Sequence, residues 1–166
     1  MKTKTRGMAL SAAIAALYAV LTVMPGLNLL AYGSVQFRVS EVLCILPLFT
    51  PWAIPGLTVG CFLANVLSTA GTLDMLFGTI ATLIAATCTY LLRNKPKVVA
   101  LLPPVISNGL IIGWMITYFY TDTAGKFAQV LAYNMFTVAL GEVGVCFLLG
   151  LPFAAYIEKH RNMFKL

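Results

Sequence analysis

The 166-residue chain is too apolar for an ordinary soluble protein, since 60% of its residues are hydrophobic and only 10% are charged. This composition excludes a water-soluble domain and predicts an all-α integral membrane protein. At about 20 residues per crossing, the chain has room for about six transmembrane helices in one compact bundle, so we expect a single transmembrane domain over residues 1–166.

Six apolar runs, separated by proline, glycine or clusters of charge, predict the membrane spans. They cover residues 8–30, 38–51, 54–71, 73–93, 98–120 and 129–157. The second run is short for a crossing and is bracketed by Pro47, Pro51 and Pro55. We therefore expect this span to be tilted, broken or continued from the preceding loop.

The basic residues predict the orientation, because short loops that carry Lys and Arg stay on the cytoplasmic side. Nine of the eleven basic residues flank the first span, fill the loop after the fourth, or follow the sixth, which leaves Arg38 and Lys126 outside. Both termini are therefore predicted inside. The net charge of +6 then reflects topology, and no nucleic-acid partner is expected. A cleaved signal peptide is the alternative interpretation of the N-terminus, but its removal would leave five spans.

No pattern for catalysis or metal binding is present in the sequence. The cysteines Cys44, Cys61, Cys88 and Cys146 lie singly in predicted spans, where apolar packing is their expected role. His160, the only histidine, lies in the predicted cytoplasmic tail. The motifs HExxH, GxSxG and GxxxxGK[ST] do not occur. We expect no enzyme activity, no metal, no cofactor and no ATP hydrolysis by this chain itself.

Polar residues inside the predicted spans all lie in the outer half of the bilayer or near its midplane. They are Arg38, Glu41, Asn65, Asp74, Asn108, Asn134 and Glu142. Because a charge near the bilayer centre costs about 2.5–3.5 kcal/mol, this placement predicts a polar pocket that is open to the outside and closed below by apolar packing.

Structural roles are the alternative for several of these side chains. Arg38 and Glu41 are spaced to share a helical face, where they can form an ion pair that only orients the helix, or can also reach a ligand. Glu142 could likewise be a paired structural carboxylate. Trp114 could stack on a flat ligand, but Trp and Tyr also serve as anchors at membrane interfaces.

Small residues recur every four positions in the first span, at Gly7, Ser11, Ala15 and Ala19, beside Ala12 and Ala16. Such a face lets another helix approach closely. The sequence leaves open whether this partner is an external protein or a helix of the same bundle.

Four sequence blocks resemble the queuosine-precursor transporter (QueT) family, which are substrate-binding (S) components of energy-coupling-factor (ECF) transporters. The blocks are QFRVSEVLCILPLFTPWAIPGLTVGCFLANVL (36–67), LDMLFGTIATLIAA (73–86), PPVISNGL (103–110), and GE (141–142) with GLP (150–152). The resemblance implies a six-helix component of a prokaryotic cell membrane that captures a 7-deazaguanine, such as queuine or its aminomethyl precursor, from outside. It also implies two kinds of partner, a transmembrane scaffold docked at Ala12, Ala15 and Ala16, and two ATPase subunits.

A 7-deazaguanine suggests a role for each polar group. Glu142 would accept from the ring N–H and the exocyclic amine, Asn108 would satisfy the carbonyl, and Asp74 or Glu41 would attract a cationic arm. Trp114 would cover one face of the ring. Arg38, Asn65 and Asn134 complete the predicted site.

Two other functions remain open on the sequence. The nearer one is an S component for another vitamin, such as riboflavin or thiamine. The other is a membrane interaction protein that binds no ligand.

Overall fold

The computed structural model describes residues 2–24, 37–67 and 71–160, and these ranges are helical without any strand. The helices are α1 (Lys2–Val23), α2 (Val39–Leu48), α3 (Ala53–Leu67), α4 (Thr72–Leu91), α5 (Lys97–Phe119) and α6 (Phe127–Lys159). The all-α prediction is confirmed. The outer part of the first predicted span, beyond residue 24, lies outside the described residues.

Helix α1 begins at Lys2 rather than at residue 8, because Lys and Arg are good helix formers and continue the apolar helix into the charged flank. The bounds of α4, α5 and α6 agree with the predicted spans to within about two residues. Leu101 interrupts regular α5 between Lys97–Ala100 and Leu102–Phe119. This break precedes two prolines, Pro103 and Pro104, which lack the N–H that a continuous helix would need.

Four of the helices, α1, α4, α5 and α6, are long and apolar enough to cross a membrane. Helices α2 and α3 are shorter. The expectation of an atypical second span is met by α2, which is a 3-10 helix of 10 residues with Pro47 inside it. At a rise of about 2.0 Å per residue, α2 spans about 20 Å, less than the hydrocarbon thickness of a bilayer.

Helices α1 and α3 approach closely through small residues. A side chain at Gly56 would lie 2.8 Å from the backbone oxygen of Ser11, and one at Gly60 would lie 2.9 Å from Cα of Ala15. The row of small residues on α1 therefore packs inside the bundle. This corrects the assignment of Ala15 to a docking face, because Ala15 is only 5% exposed and contacts α3. Ala12 and Ala16 are exposed.

Helices α5 and α6 are brought together in the same way. A side chain at Gly109 would meet Cβ of Ala139 at 3.1 Å, and one at Gly113 would meet Cα of Met135 at 2.6 Å. The glycine pairs at 56 and 60 and at 109 and 113 thus both serve packing inside the bundle.

The middle of α6 is a π-helical segment, Gly144–Gly150, which ends two residues before Pro152. Proline clashes with the carbonyl four residues earlier in a regular α-helix, and a π-helical turn is one way for a helix to continue past it. Such turns often accompany functional sites, and this one begins two residues after Glu142.

Apolar side chains close the end of the bundle that carries the exposed ion pair of Lys97 and Glu158. The buried members of this cluster are Ile45, Leu101 and Ala154, and their partly buried neighbours include Phe147, Leu151 and Phe153. This packing matches the expected apolar closure of the pocket.

Candidate functional site

Asn108 of α5 and Glu142 of α6 are joined by a hydrogen bond inside the bundle. The amide Nδ2 of Asn108 donates to Oε1 of Glu142 over 2.7 Å, and the two residues are 2% and 4% exposed. The oxygen Oδ1 of Asn108 is buried and has no hydrogen-bond partner among the described residues. An acceptor in that state costs about 1–3 kcal/mol, so its persistence calls for an explanation.

The second oxygen of Glu142 accepts only a weak hydrogen bond. Oε2 lies 3.8 Å from Sγ of Cys146, one turn further along α6. Thiols are weak donors, so this contact leaves most of the acceptor capacity of Oε2 unused. The pair of Asn108 and Glu142 therefore offers two acceptor oxygens, one from an amide and one from a carboxylate, at a buried point between α5 and α6.

Glu41 is fully buried, and both of its oxygens have donors. Oε1 accepts from the hydroxyl of Tyr18 on α1, and Oε2 accepts from the thiol of Cys44 at 2.8 Å. Arg38 precedes α2 in an extended conformation (φ −85°, ψ 90°), so the shared helical face expected from the spacing of Arg38 and Glu41 does not apply.

Arg38, Asn65 and Asp74 are buried together beside Gly78. A side chain at Gly78 would lie 2.9 Å from Nδ2 of Asn65 and 3.6 Å from Nη1 of Arg38, so only glycine leaves room for them. Nδ2 of Asn65 donates to the backbone oxygen of Asp74 over 2.9 Å. The guanidinium of Arg38 is close enough to interact electrostatically with both Asp74 and Glu142.

An open cavity of about 240 Å³ lies at the junction of α3 and α4, beside these residues. It is lined by Asn65, Val66, Gly71, Thr72 and Met75. Asn65 is therefore a predicted site residue that reaches an open recess.

Asn134 and Trp114 lie apart from this centre. Asn134 donates to the hydroxyl of Thr117 over 2.9 Å and so links α6 to α5. Trp114 is 38% exposed and stacks on Tyr118, with ring centroids 5.3 Å apart. Six residues separate Trp114 from Asn108, which is about 240° around a helix, and this explains why the structure does not place Trp114 over the pair of Asn108 and Glu142.

The cysteines have a polar role that the sequence analysis missed. Cys44 donates to Glu41, Cys146 lies beside Glu142, and Cys61 lies 3.5 Å from Nδ2 of Asn65. Three of the four thiols thus contact a buried polar group in addition to the expected apolar packing, since Cys44 and Cys61 also belong to a hydrophobic core cluster. Cys44 is the donor in its contact, whereas Cys61 accepts from Asn65, and a thiol can take either role because it is a weak donor and a weak acceptor.

Two contacts between α1 and α2 were also missed. Besides the hydrogen bond from Tyr18 to Glu41, the hydroxyl of Thr22 lies 2.7 Å from that of Ser40. A Tyr or Thr in an apolar helix carries no signal of its own. The useful signal was Glu41, because a buried carboxylate needs donors from a neighbouring helix.

Comparison with known proteins identifies the family of the chain. The QueT transporter family matches the chain over residues 8–159, from within α1 to the end of α6. The chain is 33% identical over 143 residues to the queuosine precursor transporter QueT of Lactococcus lactis subsp. cremoris (strain MG1363), which covers 84% of this chain and 73% of the relative. No solved structure matches the chain. The protein is therefore a member of the QueT transporter family.

Proposed function

We propose that this chain is the substrate-binding component of an ECF-type importer in a prokaryotic cell membrane. It crosses the membrane several times, with both termini inside, and captures a queuosine precursor from outside. The ligand class is a 7-deazaguanine, such as queuine or its aminomethyl precursor. The Lactococcus lactis relative carries the name of a queuosine precursor transporter, which supports this class of cargo.

The observation that carries the proposal is the acceptor pair of Asn108 and Glu142. A carboxylate buried in a membrane bundle is costly unless it is compensated. Here the compensation is incomplete, since one amide oxygen has no partner within the described ranges and Oε2 has only a distant thiol. A 7-deazaguanine brings a ring N–H beside an exocyclic amine, and these donors match such acceptors.

The group of Arg38, Asn65 and Asp74 supports the same class of ligand. Asp74 supplies a negative charge near the open cavity that Asn65 lines. A cationic aminomethyl arm would be attracted there. Arg38 interacts with both acidic groups, and its single positive charge compensates one of the two negative charges before the ligand binds.

The exposed alanines of α1 support a docked partner. Ala12 and Ala16 are exposed on a helix whose opposite side packs against α3, so their face is available to a scaffold helix. In the proposed importer this scaffold is a transmembrane protein that is driven by two cytoplasmic ATPases, since the sequence itself contains no phosphate-binding loop.

Calorimetric titration of the purified chain tests the proposal. The ligands are queuine, its aminomethyl and cyano precursors, and guanine, with riboflavin and thiamine as comparators. We expect binding of 7-deazaguanines and none of the two vitamins. Binding of a vitamin without any 7-deazaguanine would contradict the proposed cargo.

Uptake into vesicles tests the proposed division of labour. The chain alone should bind but not accumulate its ligand, and addition of the scaffold and ATPases with ATP should give concentrative uptake. Accumulation by the chain alone would contradict the role of a substrate-binding component.

A further inference from the structure

The orientation of the Asn108 amide is fixed by its partner. The amide presents its N–H to Oε1 of Glu142 over 2.7 Å, the orientation that suits an ionised carboxylate, since Oδ1 in that place would meet it as one acceptor against another. Oδ1 is therefore the atom of the amide that does not contact Glu142. The residue is only 2% exposed, and no described residue donates a hydrogen bond to this oxygen. This placement is opposite to the one expected from the sequence, in which Asn108 donates to a ligand carbonyl.

We infer that Asn108 accepts a hydrogen bond from the ligand and is the residue that selects for an exocyclic amine. Glu142 accepts from the ring N–H through Oε2, and Oδ1 of Asn108 accepts from the neighbouring amine. The inference rests on the proposed function and adds to it the contact that distinguishes a 2-amino base from the same base without the amine.

The backbone geometry holds the two acceptors in place. Gly109 follows Asn108, and Ala139 lies one turn before Glu142, so the contact of Gly109 with Ala139 sets the separation of the helices at this point. Both side chains lie on interior faces of their helices. A site of this kind rejects a ligand that lacks a donor, because the acceptor in the protein then stays buried without a partner.

The consequence is a specific discrimination. A 2-amino base satisfies both acceptors, whereas the corresponding 2-deamino base keeps the ring N–H for Glu142 and leaves Oδ1 of Asn108 as it is in the unbound protein. Loss of one such contact typically lowers the affinity tenfold or more.

Calorimetry with two ligands tests this contact. The parent chain and the variants Asn108→Leu and Asn108→Thr are each titrated with 7-deazaguanine and with its 2-deamino analogue, 7-deazahypoxanthine. Leucine has nearly the shape of asparagine and no polar atom, while threonine retains a hydroxyl donor for Glu142. Both variants disturb Glu142 equally for the two ligands, so the affinity ratio isolates the contact with the amine.

We expect the parent to bind 7-deazaguanine at least about tenfold more tightly than 7-deazahypoxanthine, and each folded variant to bind the two within about threefold. Equal binding of the two ligands by the parent would overturn the inference without any variant. A parent-like ratio in either variant would overturn it as well. In both cases the proposed function would stand, whereas failure of the parent to bind any 7-deazaguanine would overturn the function and the inference together.

Discussion

The hydroxyl of Tyr18 donates a hydrogen bond to Oε1 of Glu41, and this contact joins α1 to α2 at a point where neither side chain has exposed surface. Glu41 has the thiol of Cys44 as its other donor. A carboxylate that is enclosed in this way depends on both donors, because removal of one leaves part of its charge uncompensated in an apolar surrounding.

Tyr18→Phe should therefore lower the stability of the folded protein, by about 1–3 kcal/mol, while keeping the ring in the core. The measurement is thermal unfolding of the purified protein in detergent. Tyr133→Phe is the control, since Tyr133 is 62% exposed and should shift the midpoint little. Equal midpoints for the two variants would show that the hydroxyl of Tyr18 does not support Glu41.

Gly60→Ala should separate α1 from α3. The new methyl group would lie 2.8 Å from Cβ of Tyr18 and 2.9 Å from backbone atoms of Ala15, which cannot move independently of α1. Overpacking of this kind costs about 1–3 kcal/mol. Gly150→Ala is a matched control in the same unfolding assay, because its nearest neighbours are 3.9 Å away and its backbone is already helical. A larger loss at Gly150 than at Gly60 would refute the close packing of α1 on α3.

Bulky substitutions on α1 should have opposite effects on its two faces. Ala16→Trp should keep ligand affinity and abolish uptake with the scaffold and ATPases, because Ala16 is exposed. Ala15→Trp should prevent stable folding, since Ala15 is packed against Gly60. Leu83→Trp, on the exposed surface of α4, controls for the added bulk and should transport normally. Loss of ligand binding in Ala16→Trp would place its face inside the bundle.

Glu142→Gln should weaken the binding of every 7-deazaguanine at least about tenfold, or roughly 1.4 kcal/mol. The amide can keep its oxygen towards Nδ2 of Asn108, but it then presents a donor where Oε2 accepted before. Isothermal titration measures the change, and Glu158→Gln at the exposed ion pair is the control, expected to bind like the parent. Parent-like binding by folded Glu142→Gln would make Glu142 a structural carboxylate.

Asp74→Asn should penalise ligands that carry a cationic arm more than ligands that do not. The substitution keeps the shape of the side chain and removes the charge that would attract the arm. The affinity ratio of the aminomethyl precursor to the cyano precursor should fall in the variant, as measured by titration. An unchanged ratio would show that Asp74 does not recognise the cationic arm.

The sequence predicted the number and position of the helices because apolar length, proline and charge each act locally. It did not predict the form of α2, since the prolines at 47, 51 and 55 exclude a regular helix without selecting among the alternatives. It also could not decide whether the face of small residues on α1 contacts another helix of the bundle or an external protein. That assignment depends on Gly56 and Gly60, which lie on a different helix and become relevant only once α1 and α3 pack.

The candidate site was predictable as a set of residue types and not as a set of contacts. The cost of burying a charge marks Glu41, Asp74 and Glu142 as candidate site residues in this apolar sequence. The partners of these residues come from elements distant in the chain, such as Tyr18 for Glu41 and Asn108 for Glu142. Helical periodicity orders residues within one helix only, so it separates Trp114 from Asn108 on α5 but does not show which residues of other helices meet Asn108.

The π-helical segment Gly144–Gly150 sets the register between the two halves of α6. A π-helical turn takes up one residue more than an α-helical turn, and with it Glu142 meets Asn108 while Ala154 reaches the cluster with Ile45 and Leu101. Deletion of one residue within the segment, for example Phe147, would leave regular α-helical turns and nearly the same orientation of the two halves. Deletion of one residue from a regular α-helical part of α6 would instead turn the halves by about 100° relative to each other. A transporter whose sixth helix is shorter by one residue at this segment can therefore keep both contacts with its acidic side chain in place.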